Sequence, residues 1–420
     1  MHIAPSASPQ CAFCDSTSMH LIMDFGHVAL AGAFLTEAQF ADERRYPLCV
    51  YFCRECFAVQ VGDPVDAHTL FTDYFYFSSS IGTLRDHFRG YAREISDRFL
   101  TPASATVLEF GCNDGVLLRP LADLGIRTVI GVDPATNVLS SIDDARITVI
   151  NSFFTEAVAR EVMSTHGPVD IVMANNVYAH ITDIQGTTRA VRDVLADDGV
   201  FVFEVHYLGK VLDEMQYDMI YHEHLYYYSL LSAQRHFARY GMVVFDVLPV
   251  PIHAGSMRFY VCKKESRHAT TISPAVRNLE ADERRRGFDR EATFEQFSAR
   301  VATTRTALLE TLASVRASGK RIAGYGASGR ANTMIQYCGL THEHIDYVID
   351  DAPAKQGFFT PGSHFAVRSA AVLESTDRPD ILLLFAWSFR DEIIRRNPAY
   401  FAAGAGLLIP LPVVRLEYPG

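Results

Sequence analysis

The chain has 420 residues, of which 49% are hydrophobic, 11% aromatic and 21% charged. This is ordinary globular usage with apolar mass for two or three domains, and it excludes a disordered, collagen-like or disulfide-only protein. Lys and Arg number 38 against 49 Asp and Glu, a net charge of −11, which argues against nucleic acid or an anionic membrane as a partner because both need a positive field. One small anionic ligand, held by a local arginine or by helix N-termini, is compatible with that balance.

The first ten residues, MHIAPSASPQ, have no basic and no apolar stretch, so no signal peptide is expected. No apolar run approaches the roughly 20 residues of a membrane span. The expected location is the cytoplasm, where the eight cysteines are not expected to pair as disulfides. Four of them form two knuckles, Cys11-Ala-Phe-Cys14 and Cys53-Arg-Glu-Cys56. Each C-x2-C lets two thiolates reach one ion, and two pairs close a tetrahedral zinc site with no open position, hence a structural one. The 38 residues from 15 to 52 exceed the usual spacing and imply a hairpin excursion. Cys49 fits the set less well and is left out.

Residues 71 to 99 read as a polar, aromatic helical segment. Strand and helix signals then alternate. Strands are expected at 106–110, 128–132, 170–174, 200–205, 242–250 and 256–263, and helices at 116–124 and 184–195, with Asp197-Asp198-Gly199 as a turn. Such alternation predicts a parallel, doubly wound sheet whose ligand lies beyond the carboxyl ends of the strands. The turn Gly111-Cys-Asn-Asp-Gly115 is not a dinucleotide fingerprint, since Asn113 stands where a second glycine would be. Gly111 and Gly115 allow close approach of backbone to ligand, and Asp133, about 20 residues on, is placed to take a ribose. Glu109, inside a strand, needs a hydrogen-bonding or cationic partner.

Residues 270 to 318 read as a solvated pair of charged helices. A short strand at 321–323 leads into Gly324-Tyr-Gly326-Ala-Ser-Gly329-Arg330 and a helix at 331–337. Strands at 345–349, ending at Asp350-Asp351, and at 380–386 complete a second Rossmann-like unit. Taken alone, G-x-G-x-x-G suggests a nicotinamide-dependent ketoreductase, and a lone match of this kind is weak.

The ordered set of CxxC pairs, EFGCNDG, GVDPATN, ANNVYAHI, YHEH, YGASGR and DDAPAKQGFFTPG resembles the S-adenosylmethionine-dependent nucleotide-sugar C-methyltransferases over nearly the full length. The resemblance implies an α/β protein with three parts: a zinc-binding domain at 1–72, a class I methyltransferase domain at 73–265 and a C-terminal Rossmann-like domain at 266–420. It implies S-adenosylmethionine and a structural Zn2+ as cofactors, a nucleotide-diphosphate ketosugar as substrate, no nucleic acid or membrane partner, and is compatible with a monomer. Gly111, Asn113 and Gly115 would approach the cofactor, Asp133 would hold its ribose and Asn176 would lie near its methionine end. The implied reaction removes the C3 proton beside a C4 ketone and transfers methyl to the resulting carbanion. His224 is assigned as general base, since an imidazole titrates near neutrality. Glu223 supports a histidine or a sugar hydroxyl, and Tyr221 and His180 are candidate donors to the ketone oxygen. Tyr76 is a further candidate. The exchange of roles between His224 and His180 stays open at this point. Gly326, Ser328 and Arg330 are expected at the diphosphate, Asp351 at the nucleoside. A metal at His222, Glu223 and His224 is disfavoured because i and i+2 point apart on a helix. A zinc adaptor without catalysis would leave the His, Glu and Tyr cluster unexplained.

Overall fold

The computed structural model describes residues 9–71, 78–80 and 82–419. Its strands form three sheets. In the N-terminal sheet, Met19–Ala29 and Arg45–Cys53 pair antiparallel, with two register shifts, so the residues between the knuckles are the expected hairpin. Val59–Val61 adds a third strand and Tyr226–Tyr227, from the middle of the chain, a fourth. A segment that follows the YHEH sequence is therefore part of the zinc-side sheet.

The central sheet has seven strands in the spatial order Met242–Val250, Ser256–Lys263, Leu195–His206, Val169–Asn175, Thr106–Phe110, Thr128–Asp133, Ile147–Asn151. Five strands are parallel, and Ser256–Lys263 is antiparallel to Leu195–His206. The interior strands are apolar on both faces: Thr106–Phe110 is buried at every position. That two-sided burial is what helices packed on both faces of a parallel sheet require. Ile147–Asn151 is an edge strand, mostly exposed, and its β-branched sequence ITVIN is a strand signal absent from the expected set. Leu195–His206 begins earlier than expected, so Asp197 to Gly199 lie inside its irregular first stretch.

The C-terminal sheet has six strands, ordered Val367–Arg368, Val348–Ile349, Ile322–Tyr325, Ile381–Leu384, Gly406–Ile409, Arg415–Glu417. The first five are parallel and the last antiparallel. The charged stretch before it folds into helices Pro274–Arg285 and Glu291–Ala317. One expectation fails there. Glu283, in the sequence a surface charge, is fully buried. Its carboxylate accepts from the backbone N–H of Leu230 (2.8 Å) and Leu231 (2.9 Å) and from the Tyr207 hydroxyl (2.9 Å). It caps the free N–H groups at the start of helix Leu230–Ala238, a task an acidic group performs well at a helix N-terminus.

The three sheets are bolted together around residues 217–228. Leu35 and Phe359 exchange backbone hydrogen bonds of 3.2 and 2.9 Å. Gln336 brackets the backbone of Ala29 through both its amide atoms, and Asn332 donates to the Ala31 carbonyl. These contacts hold the N-terminal loop against the C-terminal glycine turn. No helix among the described residues is long and apolar enough to cross a membrane.

Candidate active site

Local sequence explains why the YHEH segment is presented at this junction. A short 3-10 turn, Tyr217–Met219, precedes it. Asp218 is fully buried, and its Oδ2 accepts from Arg330 Nε (2.9 Å) and Trp387 Nε1 (3.0 Å), both on the C-terminal unit. The Tyr217 hydroxyl meets Cys338 Sγ at 3.5 Å. The carbonyl of Met219 accepts from His224 Nδ1 at 2.7 Å. The turn thus ties the C-terminal glycine turn to the ring of His224.

A carbonyl can only accept, so Nδ1 of His224 carries the proton and Nε2 carries the lone pair. Burial, followed by the neighbouring His180, pushes the proton affinity of His224 well below the ordinary range, so the ring is neutral at physiological pH. Tyr221 lies against it, ring centroids 4.0 Å apart, and the His180 ring is 5.1 Å away. His180 Nδ1 donates to the Glu223 carbonyl. Glu223 is half-buried, and burial raises its carboxyl to about 7. His222 points the other way: it is buried, and its Nε2 donates to the Pro47 carbonyl at 3.2 Å in the N-terminal sheet. Tyr226, Tyr227 and Tyr228 are buried as well.

The cluster touches all three sheets. A Cβ at Gly329 would lie 3.4 Å from the Tyr221 ring, and one at Gly32 would lie 3.1 Å from Glu223 Oε1. Tyr76 lies outside the described residues.

The first glycine turn follows Thr106–Phe110. Gly111, Asn113 and Gly115 all have left-handed φ, at 65°, 51° and 74°. Asp133 closes the turn: Oδ2 accepts from Asn113 N and Oδ1 from Ala135 N, both at 2.9 Å. Each carboxylate oxygen keeps capacity for one more donor, which fits the paired hydroxyls of a ribose. The Asn113 side chain accepts from Ser78 N and Asp114 from Ser79 N, so the segment before helix Gly82–Phe99 is pinned over the turn. Asn176, also left-handed at 57°, donates its N–H to the Glu204 carbonyl. Glu109 finds its partner in Asn175, whose Nδ2 donates to Oε1 at 2.9 Å. Burial raises this carboxyl to about 8, so it is neutral at pH 7.

The second turn follows Ile322–Tyr325. Ser328 is the N-cap of helix Gly329–Cys338. Gly326 has φ 99°, and a Cβ there would meet Ala386 Cβ at 2.7 Å. The residue that closes this turn is Asp350, whose Oδ2 and Oδ1 accept from Ala327 N and Ala352 N, both at 2.8 Å. Asp350, not Asp351, is therefore the counterpart of Asp133. Asp351 is taken by the Tyr325 hydroxyl (3.1 Å) and by Arg396 (3.0 Å). In the sequence the two adjacent aspartates differ by one residue at a strand end, and only the register of Val348–Ile349 separates them.

Two features escaped the sequence reading. One is an ionic group behind the site: Glu204, fully buried, takes His87 Nε2 (2.9 Å) and Arg258 Nε (2.6 Å), and Arg258 also pairs with Glu94. Burial pushes the Glu204 carboxyl up, but His87 and Arg258 hold it below its ordinary value. The partners come from three separate segments, so no local pattern marks them. The other is His206, the last residue of Leu195–His206.

The four knuckle cysteines converge. Sγ atoms of Cys11 and Cys56 lie 3.4 Å apart, those of Cys14 and Cys53 3.6 Å, and all four are within 4.8 Å of one another. A tetrahedron with Zn–S bonds of roughly 2.3 Å has edges of about 3.8 Å, so the four thiolates fit one zinc ion. Cys49 instead lies beside Asp24.

Three family models match the chain: a putative zinc binding domain at residues 11–71, a methyltransferase domain at 84–247 and a C-methyltransferase C-terminal domain at 251–412. The G-x-G-x-x-G turn thus falls inside a match to a methyltransferase family. The C-methyltransferase NovU of Streptomyces niveus is 33% identical over 408 residues, 97% of this chain and 96% of that protein. The ubiquinone biosynthesis O-methyltransferase of Methylobacterium sp. (strain 4-46) is 31% identical over 100 residues, 24% of this chain and 40% of that protein. Among solved structures, the CcbJ methyltransferase from Streptomyces caelestis aligns with 42% of this chain and 89% of its own at 14% identity and a TM-score of 0.34. Identity at that level over the whole length, with the three matches in order along the chain, establishes that it belongs to the S-adenosylmethionine-dependent C-methyltransferases that carry an N-terminal zinc-binding module.

Proposed function

We propose that the chain methylates C3 of a nucleotide-linked 4-keto-6-deoxysugar through an enolate, with His224 as the general base. The observation that carries this reading is the His224 Nδ1 to Met219 carbonyl hydrogen bond, which leaves an unprotonated Nε2 at the junction of the three sheets. A neutral imidazole there takes the C3 proton, and the adjacent ketone spreads the charge onto its oxygen. The Tyr221 hydroxyl donates to that oxygen. His180, whose Nδ1 already donates to the Glu223 carbonyl, holds the loop. The Glu223 carboxylate stabilises the imidazolium that His224 becomes. Bound S-adenosylmethionine supplies an electrophilic methyl group, so no metal is needed for the transfer. Gly111, Asn113, Gly115, Asp133 and Asn176 would hold that cofactor. Gly326, Ser328 and Arg330 would hold the diphosphate, with Asp350 rather than Asp351 building their turn.

The test is His224→Asn with methyl-labelled cofactor and a panel of nucleotide 4-ketosugars, read by mass spectrometry. S-adenosylhomocysteine affinity is expected to stay within about threefold, while methyl transfer and solvent exchange of the C3 hydrogen both fall by 10²-fold or more, in the range of a lost general base. Turnover within tenfold of wild type rejects His224 as the base.

A further inference from the structure

We propose that His206 is a substrate-contacting residue that reads the group on C2 of the hexose and selects a 2-hydroxyl over a 2-deoxy sugar. The inference rests on the function proposed above.

His206 ends the strand Leu195–His206, at the edge of the sheet where ligands of this fold lie. Both ring nitrogens are buried, and neither has a hydrogen-bond partner among the described residues. An imidazole always offers at least one N–H, and when neutral one lone pair as well. Leaving a buried polar group unmatched costs about 1–3 kcal/mol, and native structures rarely accept that without a reason. The Gln216 side chain and the His253 backbone lie beside the ring without completing a hydrogen bond to it, and Gln216 Oε1 is itself buried and unbonded. Gln216 is held in place from its other end, where Nε2 donates to Glu214 (2.7 Å) and to the Ala254 carbonyl (3.0 Å). Gln216 is thus fixed with one unmatched oxygen, and His206 has two unmatched ring nitrogens.

Position assigns the ligand atom. Gln216 is bonded to Ala254, just before the strand that pairs with His206, and it stands two residues before Asp218, the partner of Arg330, and three before Met219, the partner of His224. Arg330 is the proposed diphosphate contact, and the diphosphate hangs on C1. His224 is the proposed base at C3. The carbon between them is C2. A hydroxyl there both donates and accepts, and can answer His206 and Gln216 at once. A C2 methylene can answer neither.

The experiment compares kcat/KM for a matched pair of nucleotide 4-keto-6-deoxysugars, one with a 2-hydroxyl and one 2-deoxy, in wild type, His206→Ala and His206→Gln. Wild type is expected to favour the 2-hydroxyl sugar by roughly ten- to a hundredfold, as one lost buried hydrogen bond implies. His206→Ala should collapse that ratio toward one, and His206→Gln, which keeps a donor and an acceptor, should restore part of it. S-adenosylhomocysteine affinity within about threefold of wild type certifies that each variant is folded. No 2-hydroxyl preference in wild type, or an equal loss on both sugars in both variants, overturns the assignment. Lost S-adenosylhomocysteine affinity with an unchanged ratio overturns it too, by moving His206 to the cofactor. If wild type methylates neither sugar, the proposed function fails and this assignment falls with it; methylation with an unchanged ratio removes this assignment alone.

Discussion

In the turn after Thr106–Phe110, the Asp133 carboxylate accepts from the backbone of Asn113 and Ala135, both at 2.9 Å. In the turn after Ile322–Tyr325, the Asp350 carboxylate accepts from Ala327 and Ala352, both at 2.8 Å. The N–H of Gly111 bonds the Val132 carbonyl at 2.7 Å, and that of Gly326 bonds the Ile349 carbonyl at 2.8 Å. Each glycine faces the second residue past the neighbouring strand, Val177 after Val169–Asn175 and Ala386 after Ile381–Leu384. The scaffold of the two turns is the same, and what differs is the side chains set around it. The first has Asn113 and the Ser78–Ser79 backbone pinned over it. The second is followed at once by Arg330, which reaches across to Asp218 beside the proposed base. A glycine turn closed by an aspartate therefore identifies a ligand cradle and leaves the ligand's identity to the residues beyond it.

The sharpest way to separate the two cradles is to add a methyl group to each. An alanine at either position takes on a left-handed φ, at about 1–2 kcal/mol, and an overpacked contact, at about 1–3 kcal/mol. At Gly111 the added carbon would come within 2.2 Å of Val177 Cγ2. At Gly326 it would come within 3.1 Å of the Ala386 backbone nitrogen as well as 2.7 Å of its Cβ, and backbone cannot rotate away. Gly111→Ala is expected to weaken S-adenosylhomocysteine binding by about 10²-fold or more and leave nucleotide-sugar binding nearly intact. Gly326→Ala should do the reverse. Calorimetric titration of both ligands into both variants decides it; one variant losing both ligands with an unchanged melting temperature would break the separation.

A milder pair of changes tests the aspartates. Asn offers one accepting oxygen where Asp offers two, and turns an N–H toward a backbone donor. Asp133→Asn should therefore cost about 1–3 kcal/mol, roughly ten- to a hundredfold in S-adenosylhomocysteine affinity, and Asp350→Asn a similar factor in nucleotide-sugar affinity. Asp351→Asn should change either by less than about threefold, because its partners are the Tyr325 hydroxyl and Arg396 rather than the backbone N–H groups that Asp350 holds. An Asp351 effect as large as that of Asp350 would reverse the register argument.

These pairs also mark how far the sequence could be read. Thr106–Phe110, Met242–Val250 and Ser256–Lys263 were legible to the residue because buried, β-branched runs bounded by glycine or charge have few alternative readings. The cysteine knuckles were legible because metal chemistry fixes their spacing. Ile147–Asn151 carries a strand signal in its β-branched residues, and what the sequence does not show is that it forms the exposed edge of the sheet. Helix Glu156–His166 buries only Val158, Ala159 and Val162, too thin a stripe to register. Glu283, His87, Glu204 and Arg258 depend on partners far along the chain, so their burial follows from tertiary packing that no window of sequence contains. His206 is hidden for a different reason: a histidine at the end of a strand looks the same whether its ring is satisfied or not.

Glu223 belongs to neither cradle, and its titration sharpens the comparison from between them. Burial raises its carboxyl to about 7, while His180 and His224 are lowered by burial. Below pH 7 the carboxyl is protonated and gives no support to a nascent imidazolium on His224; above it the carboxylate does. The free-enzyme profile of kcat/KM should therefore rise with pH through an acid limb near 7, and the affinities of the two cradles for their ligands should change little over the same range. Glu223→Gln should remove the limb and lower the plateau by about tenfold, the factor that about 1.4 kcal/mol of lost charge stabilisation implies. A limb that persists in Glu223→Gln at the same pH assigns it to another group and leaves Glu223 as packing between Gly32 and the loop.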